Sequence, residues 1–265
     1  MEKQLSLMID IGNSQISAGI FDGLKLVKRF DVESTEPASY KFGLALVDVL
    51  KEENIAKESI KNGFICSVVP GLTRWVQIVT KQLINVNCLI AGDEIQNLIK
   101  KDKQISDNLG ADLIADIVGA ISLYKTPCII TDLGTVTKTL VVDKNGVFLG
   151  ARFFPGLKTC FESMTEKAAM LPSLNFDNLD KEKAPEIKYG KNTVDCMKSG
   201  IYWGTISEII YSNKILSKEL GENTTHIITG GYSEFMKQGL TNEGFIDDHD
   251  LVLKGMAFMF KELSK

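Results

Sequence analysis

Two short stretches of the chain have the residue types and spacing that bind nucleotide phosphates. Asp10 and Asp132 each end an apolar run, and a glycine follows each of them two residues later, Gly12 and Gly134. Glycine lets backbone N–H groups approach an anion closely, and a carboxylate can hold a cation that neutralises phosphate charge. Hydroxyl and amide side chains that add donors come directly after the glycines: Asn13, Ser14 and Thr135. Each stretch is either a phosphate-binding corner or an ordinary tight turn, and the duplication favours the corner.

Each corner is predicted to be the tip of a β-hairpin. Apolar residues at 7–9 lead into the first corner and resume at 16–21, and residues 128–130 and 136–142 repeat this pattern around the second. The turn pairs Asp22-Gly23 and Asn145-Gly146 end the second strands. Two such copies imply two similar half-molecules, with both tips closing on one triphosphate in a cleft between two lobes.

A third carboxylate, Asp112, stands where a helix is predicted to begin. Apolar residues recur after it at helical spacing up to Tyr124. An aspartate at this position can cap the helix or complement its dipole. A carboxylate facing the cleft could instead act as a general base that takes a proton from an attacking hydroxyl. Both interpretations stay open, and Asp116, one turn later, is a weaker candidate for the same role.

Composition narrows the class of protein. The chain has 265 residues, 44% of them hydrophobic and 24% charged, with a net charge of -4, which is typical of a globular protein. The densest basic cluster is only residues 100–103, so nucleic acid is not an expected partner. No apolar run is long enough to cross a bilayer, and residues 1–10 lack a signal-peptide pattern, so we expect a cytoplasmic protein. The five cysteines are expected to be buried free thiols.

The first half is predicted to contain three strands followed by a helix, a strand, a helix and a strand. The third strand is expected at 26–32, the helices at 39–51 and 72–83, and the later strands at 64–69 and 87–91. The second of these helices is expected to turn Trp75, Ile78 and Val79 inward. Residues 93–109 show no periodicity and are expected to form a loop. This order resembles lobes of the ribonuclease-H and actin-like type.

The second half is predicted to repeat the scheme, so that the lobes are residues 1–110 and 111–265. A third strand is expected at 146–154, a helix at 158–171, an exposed connection at 172–191 and a helix at 194–216. The packed side of that last helix is expected to be Met197, Gly200, Ile201, Gly204, Ile209 and Ile210. A strand is expected at 226–229, followed by a helix that starts near Ser233. Between them, Gly230-Gly231 either admits an adenine ring or simply makes the turn. A last helix is expected at 251–263.

Eight motifs in order resemble the type III pantothenate kinases, a family in the superfamily of acetate kinase, sugar kinases and actin. They lie at residues 10–14, 66–70, 110–112, 132–135, 155–156, 193 with 199–201, 229–231 and 250–255. The resemblance covers nearly the whole chain. It implies an α/β fold of two duplicated ribonuclease-H-like (actin-like ATPase) lobes, ATP-dependent phosphorylation of pantothenate at the start of coenzyme A synthesis, and a homodimer.

The resemblance also implies roles for individual residues. The ATP phosphates would be bound by Asp10, Ile11, Gly12, Asn13, Ser14, Gln15, Ile16 and Ser17, with magnesium near Asp10. Thr135 would touch ATP, and Asp132 would hold a monovalent cation, potassium or ammonium. Asp112 would accept the proton of the pantothenate hydroxyl. Pantothenate itself would be contacted by Gly110, Ala111, Asp112, Leu113 and Thr193.

The chain departs from the family pattern at several positions. Leu113 replaces an arginine that pairs with substrate, and Lys103 replaces a tyrosine. Losing a bidentate clamp on a buried carboxylate costs about 2–5 kcal/mol, so we expect Arg152 or Lys103 to supply the missing cation. Lys138 stands where the family has a hydroxyl residue and is expected to reach phosphate or to point to solvent. A kinase of another small alcohol, or a nucleotide-binding regulator or accessory protein, remains the alternative function.

Overall fold

The computed structural model describes residues 4–168, 170–172, 188–221 and 223–265. Most of the connection expected at 172–191 therefore lies outside the described residues. The strands of the described part are β1 Leu5–Ile11, β2 Gln15–Asp22, β3 Lys25–Glu33, β4 Ile60–Ser67, β5 Leu89–Ile90, β6 Lys100–Lys101, β7 Cys128–Leu133, β8 Val136–Val142, β9 Val147–Pro155, β10 Thr225–Thr229 and β11 Ile246–Asp247. Its α-helices are α1 Ala38–Glu52, α2 Pro70–Ile84, α3 Ala111–Leu123, α4 Leu157–Lys167, α5 Thr193–Leu220, α6 Ser233–Thr241 and α7 Leu251–Leu263.

The chain divides into two compact units. The first contains residues 1–99, 106–122 and 251–265, and the second contains residues 100–105 and 123–250. This grouping differs from the contiguous lobes expected at 1–110 and 111–265, because α3 and α7 both pack within the first unit. A Cβ at Gly255 would overlap the Ala115 carbonyl oxygen, and one at Gly119 would lie 2.8 Å from the Leu251 oxygen. The two helices thus meet backbone to backbone, which only glycine permits.

The sheet of the first unit has the strand order β3-β2-β1-β4-β5. Side chains alternate along β1, so that Leu7, Ile9 and Ile11 join the core formed with α1 and α2. The residues between them face the other way, towards the side on which α7 packs against β1 and β4. Phe64 of β4 and Phe260 of α7 have ring centroids 6.0 Å apart on that side. Both faces of the sheet are therefore covered.

The sheet of the second unit repeats this topology. Its order is β11-β10-β7-β8-β9-β6. Each sheet contains an antiparallel hairpin, β1-β2 or β7-β8, whose second strand pairs antiparallel with the next strand, β3 or β9. A later strand, β4 or β10, pairs parallel with the first strand of the hairpin. Every residue of β7 is buried. The predicted duplication of an acidic hairpin inside two similar sheets is confirmed.

Several local predictions were wrong. Trp75 is 61% exposed, whereas Val76 is completely buried. The apolar pattern misled because Thr73 and Thr80 also point inward, and their hydroxyls donate to the carbonyls of Val69 and Val76. A threonine whose hydroxyl is satisfied within its own helix can occupy an apolar face.

Two further predictions were wrong in part, one for the packed side of α5 and one for the loop expected at 93–109. In α5 the predicted Met197 and Ile209 are buried, but Gly200 and Gly204 are exposed, with open space where a Cβ would be. Tyr202 and Ile206 are buried in their place. The segment expected to be a loop at 93–109 contains a 3-10 helix, Asp93–Leu98, and the strand β6, which pairs with β9. These two residues join the sheet through backbone hydrogen bonds, which leave no pattern in the side chains. Within the described residues, none of the helices is both long and apolar enough to cross a membrane.

Candidate active site

The tip of the first hairpin is held by backbone hydrogen bonds. The Gly12 N–H donates to the Gln15 carbonyl at 2.9 Å, and a Cβ on Gly12 would lie 3.1 Å from that oxygen. The Ser34 hydroxyl donates to the Gly12 carbonyl at 2.7 Å, and the Ser34 N–H donates to the Ser14 carbonyl at 3.0 Å. Asn13 and Ser14 are exposed at the tip. The hairpin therefore presents polar groups on a fixed backbone, as an anion site requires.

The structure brings Asp10 and Asp112 together around one buried thiol. Asp10, near the end of β1, is in parallel register with Cys66 of β4. Burial is the largest cause that raises the pKa of the Cys66 thiol well above its ordinary value, and the negative charges of Asp10 and Asp112 raise it further. Both carboxylates therefore lie where strands β1 and β4 end, which is the usual place for ligands in such sheets.

The loop before α3 fixes the direction of Asp112. Gln96 holds the Leu109 backbone from both sides, donating from Nε2 to its carbonyl at 2.8 Å and accepting from its N–H at 3.2 Å. The Asp112 side chain folds over Gly110, because a Cβ there would lie 2.5 Å from the Asp112 Oδ1 atom. Asp112 is partly buried in the first turn of α3, whereas Asp116 is completely buried. Of the two carboxylates, only Asp112 is accessible to a substrate.

The second hairpin contains an ion pair that sequence reasoning missed. Asp132 lies directly opposite Lys138 in the antiparallel register of β7 and β8. The Lys138 Nζ atom donates to the Asp132 Oδ2 atom at 2.7 Å, and the two side chains are 17% and 9% exposed. Neither expectation for Lys138, contact with phosphate or with solvent, anticipated this partner. The sequence feature that could have revealed this pair is the short tip of the hairpin, because the length of the tip sets which residues face each other across the two strands.

Glycines let the chain pack tightly around this second tip. A Cβ at Gly156 would overlap the Gly134 carbonyl oxygen, and the Gly156 N–H donates to the Thr135 carbonyl at 3.1 Å. Gly230 has a φ of +92°, and a Cβ there would overlap the Asp132 carboxylate. Gly230 is thus needed for close approach to β7 as well as for the turn. Thr135 remains exposed at the tip.

Three further predicted site residues, Thr193, Arg152 and Lys103, lie on the surface of the second unit. Thr193 is the exposed first residue of α5, and Asn192 caps that helix by accepting the Asp195 N–H at 3.0 Å. Arg152 is exposed on β9, and its Nη1 atom donates to the Ser212 hydroxyl at 3.1 Å. Lys103 is exposed in the turn after β6. Each of these side chains is accessible, and their roles stay predictions.

The fold places the protein in a known structural class. It is similar to the solved structure of the activator of the 2-hydroxyisocaproyl-CoA dehydratase from Clostridium difficile with bound ADPNP, at a TM-score of 0.57 and 13% sequence identity. The match covers 98% of this chain and 96% of that one. This similarity concerns the fold alone. It confirms the expected fold class, an α/β protein with two similar sheets.

Sequence comparison then identifies the family. The sequence model of the type III pantothenate kinases matches residues 6–214. A type III pantothenate kinase of Agathobacter rectalis is 29% identical over 261 residues, covering 98% of both chains. Another, from Dehalococcoides mccartyi, is 30% identical over 254 residues, covering 96% of both. The chain belongs to the type III pantothenate kinase family.

Proposed function

We propose that the protein transfers the γ-phosphoryl group of ATP to the hydroxyl of pantothenate, forming 4'-phosphopantothenate in the first step of coenzyme A biosynthesis. Membership of the family over nearly the whole chain supports the reaction. The observation that carries the chemistry is the pair of carboxylates, Asp10 and Asp112, around the buried Cys66 thiol. A protein that only binds a nucleotide needs no second carboxylate beside the phosphate-binding tip.

In this proposal the first hairpin binds the ATP phosphates through residues 10–17. The backbone of Gly12 and the exposed side chains of Asn13 and Ser14 supply donors on a fixed tip. The partly buried Asp10 carboxylate fits magnesium, which prefers oxygen ligands and takes one or two carboxylates together with phosphates and water. When bound, magnesium neutralises phosphate charge. We further propose that Thr135, Gly230 and Gly231 contact the same nucleotide.

Asp112 is proposed as the general base. Its carboxylate would accept the proton of the pantothenate hydroxyl as the oxygen attacks the γ-phosphorus, and Gly110, Ala111 and Thr193 would orient pantothenate. General base catalysis contributes about 10²–10⁴-fold to a rate, and most of the rest of phosphoryl transfer is positioning and charge stabilisation. The packing of the Asp112 side chain over Gly110 supports this role, since it holds the carboxylate in one direction.

The role of Asp112 can be tested by one conservative substitution. Asp112→Asn keeps the shape of the side chain and removes the base, so turnover in a coupled ADP-release assay should fall by about 10²–10⁴-fold. ATP affinity, measured by calorimetry, should change less than about threefold. Asp48→Asn, the same change on an exposed position of α1, is the matched control and should leave both values unchanged. Equal loss of ATP affinity and turnover in Asp112→Asn would make the residue structural.

Because this chain has Leu113 where the family resemblance implies an arginine, that arginine is not there to pair with the carboxylate of pantothenate. We propose that Arg152 or Lys103 takes its place, since both cationic side chains are exposed. Removing a charge that pairs with substrate raises KM, so Arg152→Ala or Lys103→Ala should raise the KM for pantothenate by at least tenfold while the KM for ATP stays constant. An unchanged KM for pantothenate in both variants would refute this part of the proposal.

We also propose that the enzyme works in the cytoplasm as a homodimer, as the family resemblance implies. Analytical ultracentrifugation at micromolar concentration should then give a mass of two chains, twice 29.3 kDa. A mass of one chain across the concentration range would refute the dimer.

A further inference from the structure

The Asp132 carboxylate does not fit the potassium or ammonium ion that the family resemblance implies for it. Its Oδ2 atom accepts a hydrogen bond from the Lys138 ammonium at 2.7 Å. This distance is typical of a strong, charge-assisted bond between ionised partners. With side-chain exposures of 9% for Asp132 and 17% for Lys138, little water screens the pair. A free monovalent cation would have to displace the ammonium or lie beside a like charge.

The pairing of strands β7 and β8 places the two residues of this ion pair opposite each other. Residues directly opposite each other in an antiparallel pair have Cβ atoms about 4.5–5.5 Å apart and point to the same face. Asp132 and Lys138 are such a pair, next to the closing pair Leu133 and Thr137. Gly230 lies close to the other oxygen of the carboxylate, Oδ1, since a Cβ at Gly230 would overlap it. The ammonium is therefore held at Asp132 by the register of the hairpin and not by a chance rotamer of a surface lysine.

We infer that the Lys138 ammonium is a built-in replacement for the monovalent cation, so that this protein binds ATP and phosphorylates pantothenate without added potassium or ammonium. The inference rests on the proposed function. A lysine side chain carries the same charge and the same kind of N–H donors as an ammonium ion. Because it is covalently attached, its local concentration does not depend on the salt in solution. At this position the family resemblance implies a hydroxyl residue, which could not supply that charge.

The experiment compares salts at constant ionic strength. The native protein and Lys138→Thr, which restores a hydroxyl residue, are assayed in potassium, sodium and choline chloride. Native turnover should differ by less than about twofold among the three salts. Lys138→Thr should lose at least tenfold in choline and sodium and recover in potassium. Lys144→Thr, a change at an exposed lysine in the turn after β8, is the matched control and should behave as the native protein does.

A second readout does not depend on turnover. ATP affinity and melting temperature of the native protein should be equal in potassium and choline, whereas both should rise with potassium in Lys138→Thr, because a ligand that binds only the folded state stabilises it. These measurements on the native protein decide the matter even if the variant does not fold.

The outcomes separate this inference from the proposed function. Tenfold stimulation of native turnover or ATP affinity by potassium would overturn the inference and leave the kinase intact. Full activity of Lys138→Thr in choline would overturn it too, because no cation would then be needed at Asp132. Absence of pantothenate-dependent turnover in every salt would instead refute the proposed function, while salt-independent ATP affinity would still support the built-in cation.

Discussion

Gly230→Ala should destabilise the protein because of where its Cβ would lie. Gly230 has a φ of +92°, which costs an alanine about 1–2 kcal/mol. The new Cβ would also lie 2.6 Å from the Leu133 nitrogen and 2.8 Å from its carbonyl carbon, and would overlap the Asp132 carboxylate. Backbone atoms cannot rotate away, and overpacking of this kind costs about 1–3 kcal/mol. The free energy of unfolding should therefore fall by about 2–5 kcal/mol.

Gly244→Ala separates the two contributions. Gly244 has a φ of +86°, but nothing lies within 4 Å of its Cβ position, so only the conformational cost of about 1–2 kcal/mol applies. Urea unfolding of both variants gives the difference, which we expect to be about 1–3 kcal/mol. At temperatures where both are folded, only Gly230→Ala should weaken ATP binding. Equal destabilisation of the two variants would refute the argument that Gly230 is required for its close approach to β7.

Three further predictions follow from the same structure. Burial raises the pKa of the Cys128 thiol to about 12, so above about pH 9 the unfolded chain loses a proton that the folded protein keeps. Urea titrations should therefore show the free energy of unfolding falling as the pH rises above about 9. Cys128→Ala should make this decrease shallower by about 1.4 kcal/mol per pH unit. Burial lowers the pKa of His226, whose Nδ1 atom lies 2.8 Å from Asn213 Oδ1. The free energy of unfolding should therefore fall as the pH drops below about 6.5, because only the unfolded chain then binds a proton at this residue. An equal fall of the free energy of unfolding in His226→Gln would contradict this. Gly110→Ala should turn the Asp112 carboxylate away and lower kcat by about 10²-fold, whereas an unchanged kcat would show that its direction is unimportant.

The hairpins and the duplicated order of elements could be predicted because they depend on local patterns. Alternating apolar residues, the glycine after each aspartate and the turn pairs at the strand ends all act within a few residues. Trp75 was misplaced because a threonine can satisfy its hydroxyl inside a helix and take an inward position. The packing of α3 on α7 through Gly119 and Gly255 joins segments more than a hundred residues apart, and no local pattern records it.

The candidate site shows the same limit. The acidic residues could be named from the sequence, since their types and spacing carry the chemistry. The partner of Asp132 could not, because it depends on the exact register of β7 against β8. A slip of one residue would turn the Lys138 side chain to the opposite face of the sheet. Which cation pairs with the Asp132 carboxylate therefore depends on the register of the folded hairpin.

The most direct measurement of the central claim is phosphorus NMR of the native protein with ATP, magnesium and pantothenate in potassium buffer. The proposed reaction predicts a new phosphomonoester signal that grows in step with ADP and is absent without pantothenate. ATP that stays intact in the presence of pantothenate, or ADP that forms with inorganic phosphate and no phosphomonoester, would contradict it.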